Sequence, residues 1–356
     1  MQRMSKVAKL VGALIILAAL VSGLLLQQCW LLDVRSQDDK MLEVRLSVAD
    51  IDPSFVISIR NSTVVSLNTA TGLIDHGSDD AAEVLQASID SLPNGGGIEV
   101  RSGLYDLSKD VTLNSDVLLV GEGEHNTVFS SDTRGMLVAK DRSNVTFSNF
   151  GMVGSTGIYI LGDGRDVYGF TVHNITATVS QKMSAAFVLD ASGRTISDVL
   201  FYNCKAISGD AYGFLNIGVK GSSLIRDIAY VDCLALDNGL NARSHDWTVG
   251  FNLAEQVHVD NMTLINCTSN GNWESGFHFE SDVRTSNVSM RDCVANNNGL
   301  AKPKPLYGSG FVLQSNTALN NCTAMNNANH SYLIVGDPCT IRMVDRNGQV
   351  LSYCDV

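Results

Sequence analysis

One pattern recurs seven times between residues 145 and 327. The segments are VTFSNFGMVGS (145–155), FTVHNITATVS (170–180), VLFYNCKAISG (199–209), AYVDCLALDNG (229–239), MTLINCTSNGN (262–272), VSMRDCVANNN (288–298) and TALNNCTAMNN (317–327). In each, apolar residues alternate, then come Asn or Asp and one apolar residue. Asn149, Asn174, Asn203, Asp232, Asn266, Asp292 and Asn321 head this column, at spacings of 25, 29, 29, 34, 26 and 29 residues. A second column follows as GIYIL (157–161), AFVLD (186–190), GFLNI (213–217), GFNLA (250–254), GFHFE (276–280) and GFVLQ (310–314). Every period therefore carries at least two short strands and a polar turn. A unit of that size cannot bury its own apolar face, but a stack of them does. Strands of period two with no helix between them make the stack an all-β solenoid, a parallel β-helix.

The columns then acquire physical meaning. Cys204, Cys233, Cys267, Cys293 and Cys322 follow the Asn in successive coils. They are expected to stack inside at the strand spacing of about 4.8 Å, too wide for a good disulfide, as a buried thiol ladder. A linear array without a CxxC pair argues against a metal site. The Asn/Asp column is expected to be a turn ladder, because Asn tolerates the left-handed conformation and its amide bonds to its neighbours above and below.

The ends of the solenoid need caps. SDDAAEVLQASIDSLPNGGG (78–97) contains the one clear amphipathic helix, predicted over 78–92. Ser78 is read as N-cap, and Ala81, Val84, Leu85, Ser88, Ile89 and Leu92 as its buried stripe. IEVRSGLYDL (98–107) reads as the first strand and FVISIRNSTVVSLN (55–68) as strand. At the other end, 337–356 reads as a hairpin about Asp345-Arg346-Asn347-Gly348, with Cys339 and Cys354 placed to pair across it.

Arg3, Lys6 and Lys9 precede the apolar run Val11–Leu26, and Trp30, Leu31 and Leu32 follow a short Gln27-Gln28-Cys29 break. This predicts a single-pass membrane anchor with its N-terminus inside and the solenoid outside. A signal peptide cut near Val21-Ser22-Gly23, with secretion, is the alternative. The expected organisation is 1–32 anchor or signal segment, 33–72 stalk and leading strand, 73–335 β-helix, and 336–356 hairpin cap. Eight N-x-S/T sequons, at Asn61, Asn144, Asn174, Asn261, Asn266, Asn287, Asn321 and Asn329, suit an outward location, although an Asn- and Thr-rich chain also makes them by chance. With 25 Lys plus Arg against 37 Asp plus Glu, the charge balance argues against a nucleic-acid partner.

The stretch SDDAAEVLQASIDSLPNGGGIEVRSGLYDL (78–107) resembles the N-terminal cap of pectin-lyase-like right-handed β-helix proteins. That superfamily includes polysaccharide lyases, polygalacturonase-type hydrolases and phage tailspikes. The resemblance implies a right-handed coil and a polysaccharide partner, and it leaves the reaction open. The polygalacturonase set (Asn-Thr-Asp, paired Asp, Gly-His-Gly, Arg-Ile-Lys) is not found here in order; GFHFESD has the His without the flanking Gly.

If each Phe of the second column points inward, the next and third residues after it point outward. The outward polar residues then collect on the last coils as Asn252, His278, Glu280 and Gln314, with Asp282 and Asn316 continuing. Four residues before Phe251, Phe277 and Phe311 stand Trp247, Trp273 and Tyr307, an aromatic column suited to sugar faces. Rings closing long turns are the bland alternative. Glu274, Glu280 and Asp282, with Asp246 on the adjacent coil, are candidate carboxylates for glycoside hydrolysis. Lyase chemistry would draw on Arg284, a Lys or His278 as base, with His245 and His258 as further candidates and a group or Ca²⁺ neutralising the uronate. The expectation is thus a lyase, hydrolase or epimerase of acidic glycans, or a non-catalytic surface protein that binds envelope glycan.

Overall fold

The computed structural model describes residues 52–180, 185–240, 248–300, 308–344 and 350–351. The expected anchor and most of the expected stalk, and with them residues 1–51, lie outside the described residues. Among the described residues no helix is long and apolar enough to cross a membrane.

From Thr195 onward each coil contributes three strands, and in the two coils before it the first two merge into one, Val145–Gly154 and Val167–Val179. One full coil runs through His258–Ile265, Thr268–Asn270 and Phe277–Phe279. Every strand pairs in parallel with its equivalent on the next coil, as Met262↔Val288, Thr268↔Val294 and Phe277↔Phe311 do. The third strands form a separate nine-stranded sheet from Val111–Thr112 to Tyr332–Ile334.

The bend between the first and second strands is made by a single residue. All seven Asn/Asp positions of the repeat are left-handed there, with φ from 50° at Asn203 to 59° at Asn149. A non-glycine side chain other than Asn or Asp pays for this conformation sterically. Their amides form the expected ladder, each donating one coil back: Asn174 Nδ2 to Asn149 Oδ1 at 2.9 Å, Asn203 to Asn174 at 2.9 Å and Asn266 to Asp232 at 2.7 Å. Asp232 and Asp292 carry no amide, so they accept from Asn266 and Asn321 and the donor chain restarts at each. A second left-handed row precedes the first strand at Asp116 and Asn144 and lies within it at Asp227, Asn261 and Asn287. Five of the eight sequon asparagines (144, 174, 261, 266 and 321) therefore spend Nδ2 on a ladder bond, and Asn287 spends its Nδ2 on Asp260.

The core is layered by residue type. Phe187, Phe214, Phe251, Phe277, Phe311 and Tyr332 stack in one file, with centroid spacings from 4.4 to 5.4 Å. Offset or parallel stacking at the rung spacing adds to the burial of each ring. Cys204, Cys233, Cys267 and Cys293 are fully buried free thiols and Cys322 is partly buried. Each Sγ points at a backbone carbonyl, Cys204 at Val172 O at 3.2 Å, and burial pushes the thiols of Cys233, Cys267 and Cys293 up. A further ladder, hidden in the sequence, runs inside the coil through Asn238, Asn272, Asn298 and Asn327. Asn238, Asn272 and Asn298 each donate Nδ2 to the next Oδ1 at 3.0 Å, and all four donate to a carbonyl behind them. This ladder explains the glycine of the Gly-Phe column: a Cβ on Gly276 would sit 2.6 Å from Gly310 O and 2.9 Å from Asn298 Nδ2.

The N-terminal cap differs in detail from expectation. Residues 55–68 form a hairpin, Phe55–Arg60 against Thr63–Asn68, because Asn61 and Ser62 are both left-handed (φ 49° and 67°) as a type I′ turn requires. Phe55 pairs in parallel with Ile98, so the stretch 98–107 is not the first strand; it divides into Gly96–Val100 and Gly103–Asp106. Helix α1 spans Ala81–Asp90, and Asp80 rather than Ser78 is its N-cap, accepting from Ala82 N at 2.9 Å. Its expected stripe is buried throughout and closes the open end of the coil. At the far end Arg342–Val344 pairs antiparallel with Val350–Leu351. The Cys339 side chain and Cys354 lie outside the described residues.

Candidate functional site

The outer face of the third sheet carries the polar cluster. Phe251 and Phe277 point into the core, and their successors Asn252 and His278 face each other across adjacent rungs. Both were expected on an open surface, yet Asn252 is 3% and His278 2% exposed. Strand alternation fixes which side a residue takes, not what covers it.

Beyond them the alternation breaks. Bulges place Ile217 opposite Glu255 and Ala254 opposite Phe279. Ala254, expected outside, is therefore turned into the core, and Glu255 takes its place beside Glu280. This is the site residue that the sequence pattern misses, because a one-residue bulge shifts every later side chain to the other face.

His278 lies between two carboxylates. Its Nδ1 is 3.4 Å from Glu274 Oε1 and its Nε2 is 3.4 Å from Glu280 Oε1. Burial alone would pull the imidazole down, but Glu274 and Glu280 outweigh it and raise it to about 9. Glu274 is also enclosed, and its Oε1 accepts from Ser275 Oγ at 3.0 Å. Glu280 is 31% exposed and Glu255 is half-buried, so these two carboxyls are the accessible members. Asn252 Nδ2 holds Glu255 Oε2 at 2.9 Å, and burial, then the charge of Glu280, pushes the Glu255 carboxyl up. The Tyr212 hydroxyl is pushed up by burial and then by Glu255, Glu274 and Glu280, which places it within the same field.

The rest of the expected cluster separates from this group. Asp282 and Arg284 are exposed and line a groove of about 530 Å³ at the corner where the third strand turns into the next first strand. Lys220 reaches Asp282 at 2.6 Å there, and His258 Nδ1 donates to Arg284 O at 2.8 Å. Gln314 is not free for a ligand: its Nε2 donates to Glu280 O and Ser281 O and its Oε1 accepts from Ser315 N. Trp273 is half-buried, and its indole N–H has no partner among the described residues. Trp247, Tyr307, Asp246 and His245 lie outside the described residues, so the aromatic column is represented by Trp273 alone. No cluster of three or more His, Cys, Asp or Glu among the described residues suits a metal ion. Two of the accessible acids are already paired with a basic side chain, Glu280 with His278 and Asp282 with Lys220.

No curated protein sequence matches the chain. Among solved structures, the A-module of the Azotobacter vinelandii mannuronan C-5 epimerase AlgE4 aligns at 18% identity over 75% of this chain and 90% of that one, with a TM-score of 0.35. Pectate lyase Pel9A aligns at 13% identity over 72% and 73%, with a TM-score of 0.43. An iota-carrageenase bound to iota-carrageenan fragments aligns at 12% over 69% and 53%, with a TM-score of 0.33. These likenesses concern the winding of the backbone. A family model described as the right-handed beta helix region matches residues 124–346, and the chain belongs to that family.

Proposed function

We propose that this chain acts on a polysaccharide laid across the outer face of the third sheet, cleaving glycosidic bonds with Glu255 and Glu280. The observation that carries the reading is the pairing of two accessible carboxyls on neighbouring rungs in unlike environments. Burial and then the charge of Glu280 push the Glu255 carboxyl up, whereas Glu280 faces the His278 ring. A carboxyl pushed up by its surroundings is suited to the acid role of a carboxyl pair. Neighbouring rungs are about 4.8 Å apart, which suits the roughly 5–5.5 Å of a retaining pair better than the wider inverting one. Glu255 would protonate the leaving oxygen and Glu280 attack the anomeric carbon. His278 and Glu274 would act behind Glu280 as positioning residues. A base role for His278 in elimination is disfavoured, since its raised pKa keeps it protonated at neutral pH.

The near-complete enclosure of Glu274 and His278 favours a second reading, in which the buried trio is a structural plug beneath a glycan-binding surface. Release of reducing ends from a panel of acidic and neutral polysaccharides separates the two. Catalysis predicts that Glu280→Gln and Glu255→Gln each lower turnover by about 10²-fold or more while glycan binding persists. Glycan binding without turnover in the wild type would leave the binding reading. Location outside a membrane, tethered by residues 1–32 or secreted, is part of the proposal and rests on the basic flank and apolar run of the sequence.

A further inference from the structure

The corner groove has the opposite charge sense to the chain as a whole. The protein carries 37 acidic against 25 basic residues, yet Lys220, His258 and Arg284 converge on this groove, with Asp282 the one carboxylate in its lining. They come from three successive coils. Leu224 and His258 are register partners, and Val259 pairs with Thr285, so His258 and Arg284 occupy the same position on adjacent rungs. The Lys220–Asp282 ion pair crosses the intervening coil at Gln256. His258 Nδ1 donates to Arg284 O, which fixes the ring and leaves Nε2 for another partner. The Arg284 guanidinium is exposed and makes no ion pair or hydrogen bond with another described residue. Two of its lining residues continue the chain from the carboxyl pair: Asp282 follows Glu280 by two residues and Gln256 follows Glu255 by one.

We infer that this groove is a subsite for an anionic substituent, a carboxylate or a sulfate, on a sugar next to the one held at Glu255 and Glu280. The inference rests on the glycan reading above and narrows it to acidic polysaccharide. Arg284 offers a planar fork that matches either oxyanion, and Lys220 a point charge that the ligand shares with Asp282. Asp282 then acts as a brake: its carboxylate repels the incoming anion and competes for Lys220.

Calorimetry with three probes tests this: an oligogalacturonate, a sulfated galactan oligomer and a neutral cello-oligomer. The wild type is expected to bind at least one charged oligomer more tightly than the neutral one, and the arm that responds identifies the substituent. Arg284→Gln and Lys220→Gln should each weaken that arm about three- to tenfold and leave neutral binding unchanged. Asp282→Asn should strengthen it, a gain that damage to the fold would not produce. Unchanged acidic affinity in both cation variants, or a weaker arm in Asp282→Asn, overturns the inference while the carboxyl pair stands on the turnover of Glu280→Gln. No binding of any oligomer by the wild type overturns the glycan reading and the subsite together.

Discussion

The buried His278 makes the stability of this protein fall on the alkaline side of neutrality. In the folded chain its pKa is raised from 6.5 to about 9, burial opposing and the carboxylates Glu274 and Glu280 prevailing. A raised folded-state pKa means that the stabilisation is fully present below the unfolded value of 6.5 and is lost as pH rises through about 9. At roughly 1.4 kcal/mol per pH unit, the whole shift is worth about 3 kcal/mol, a large share of a domain's net stability. The thiols of Cys233, Cys267 and Cys293 are pushed well up by burial and stay protonated in the folded chain while those of the unfolded chain ionise, so above about pH 8 they add to the fall, and the difference between wild type and Glu274→Gln isolates the His278 share. Tyr105, pushed up to about 12, adds its own share only above about pH 9. Urea unfolding at fixed temperature across the window should show the midpoint falling with pH. Glu274→Gln removes one carboxylate from the imidazole and should shrink the slope and lower the titration point read from the His278 ring by NMR. A flat profile, or a His278 ring that titrates at or below 6.5, would refute the ion-pair account of this site.

Three further outcomes follow from the scaffold. His173 is the opposite case, its pKa lowered to about 4 by burial, so stability should also fall as pH drops from 6.5 towards 4, and His173→Leu should flatten that limb in the same unfolding assay. Asn266→Ala loses a left-handed residue (φ 52°) and its bond to Asp232, a combined cost of about 2 kcal/mol; Asn266→Gly should recover the backbone share, and equal loss in both would contradict the conformational argument. Phe251→Ala opens a gap between Phe214 and Phe277 and should cost about 3–5 kcal/mol in equilibrium denaturation, with Phe251→Leu costing clearly less.

The scaffold was legible because its constraints are local and repeated. A left-handed bend admits Asn or Asp at the same place in every coil, and a narrow interior admits Cys at the next, so both columns stand out by spacing alone. The buried Asn238, Asn272, Asn298 and Asn327 were not singled out, because their role depends on facing a carbonyl of the previous coil rather than on any neighbour in sequence. The site was half legible. Glu274, His278 and Glu280 lie together as their spacing implied. Glu255 escaped notice because a bulge at Leu253-Ala254 reversed the alternation. Lys220 escaped because its partner, Asp282, lies 62 residues on and two coils away. The enclosure of Asn252 and His278 is set by what packs over the sheet, which alternation within a strand does not report.

The most direct test of the carboxyl pair is the stereochemistry of the product. Proton NMR of the first products released by the wild type from an acidic polysaccharide should show the newly formed anomer retained, as Glu280 attack and Glu255 proton transfer require. An inverted anomer, an unsaturated uronate end or the absence of any product would contradict the account.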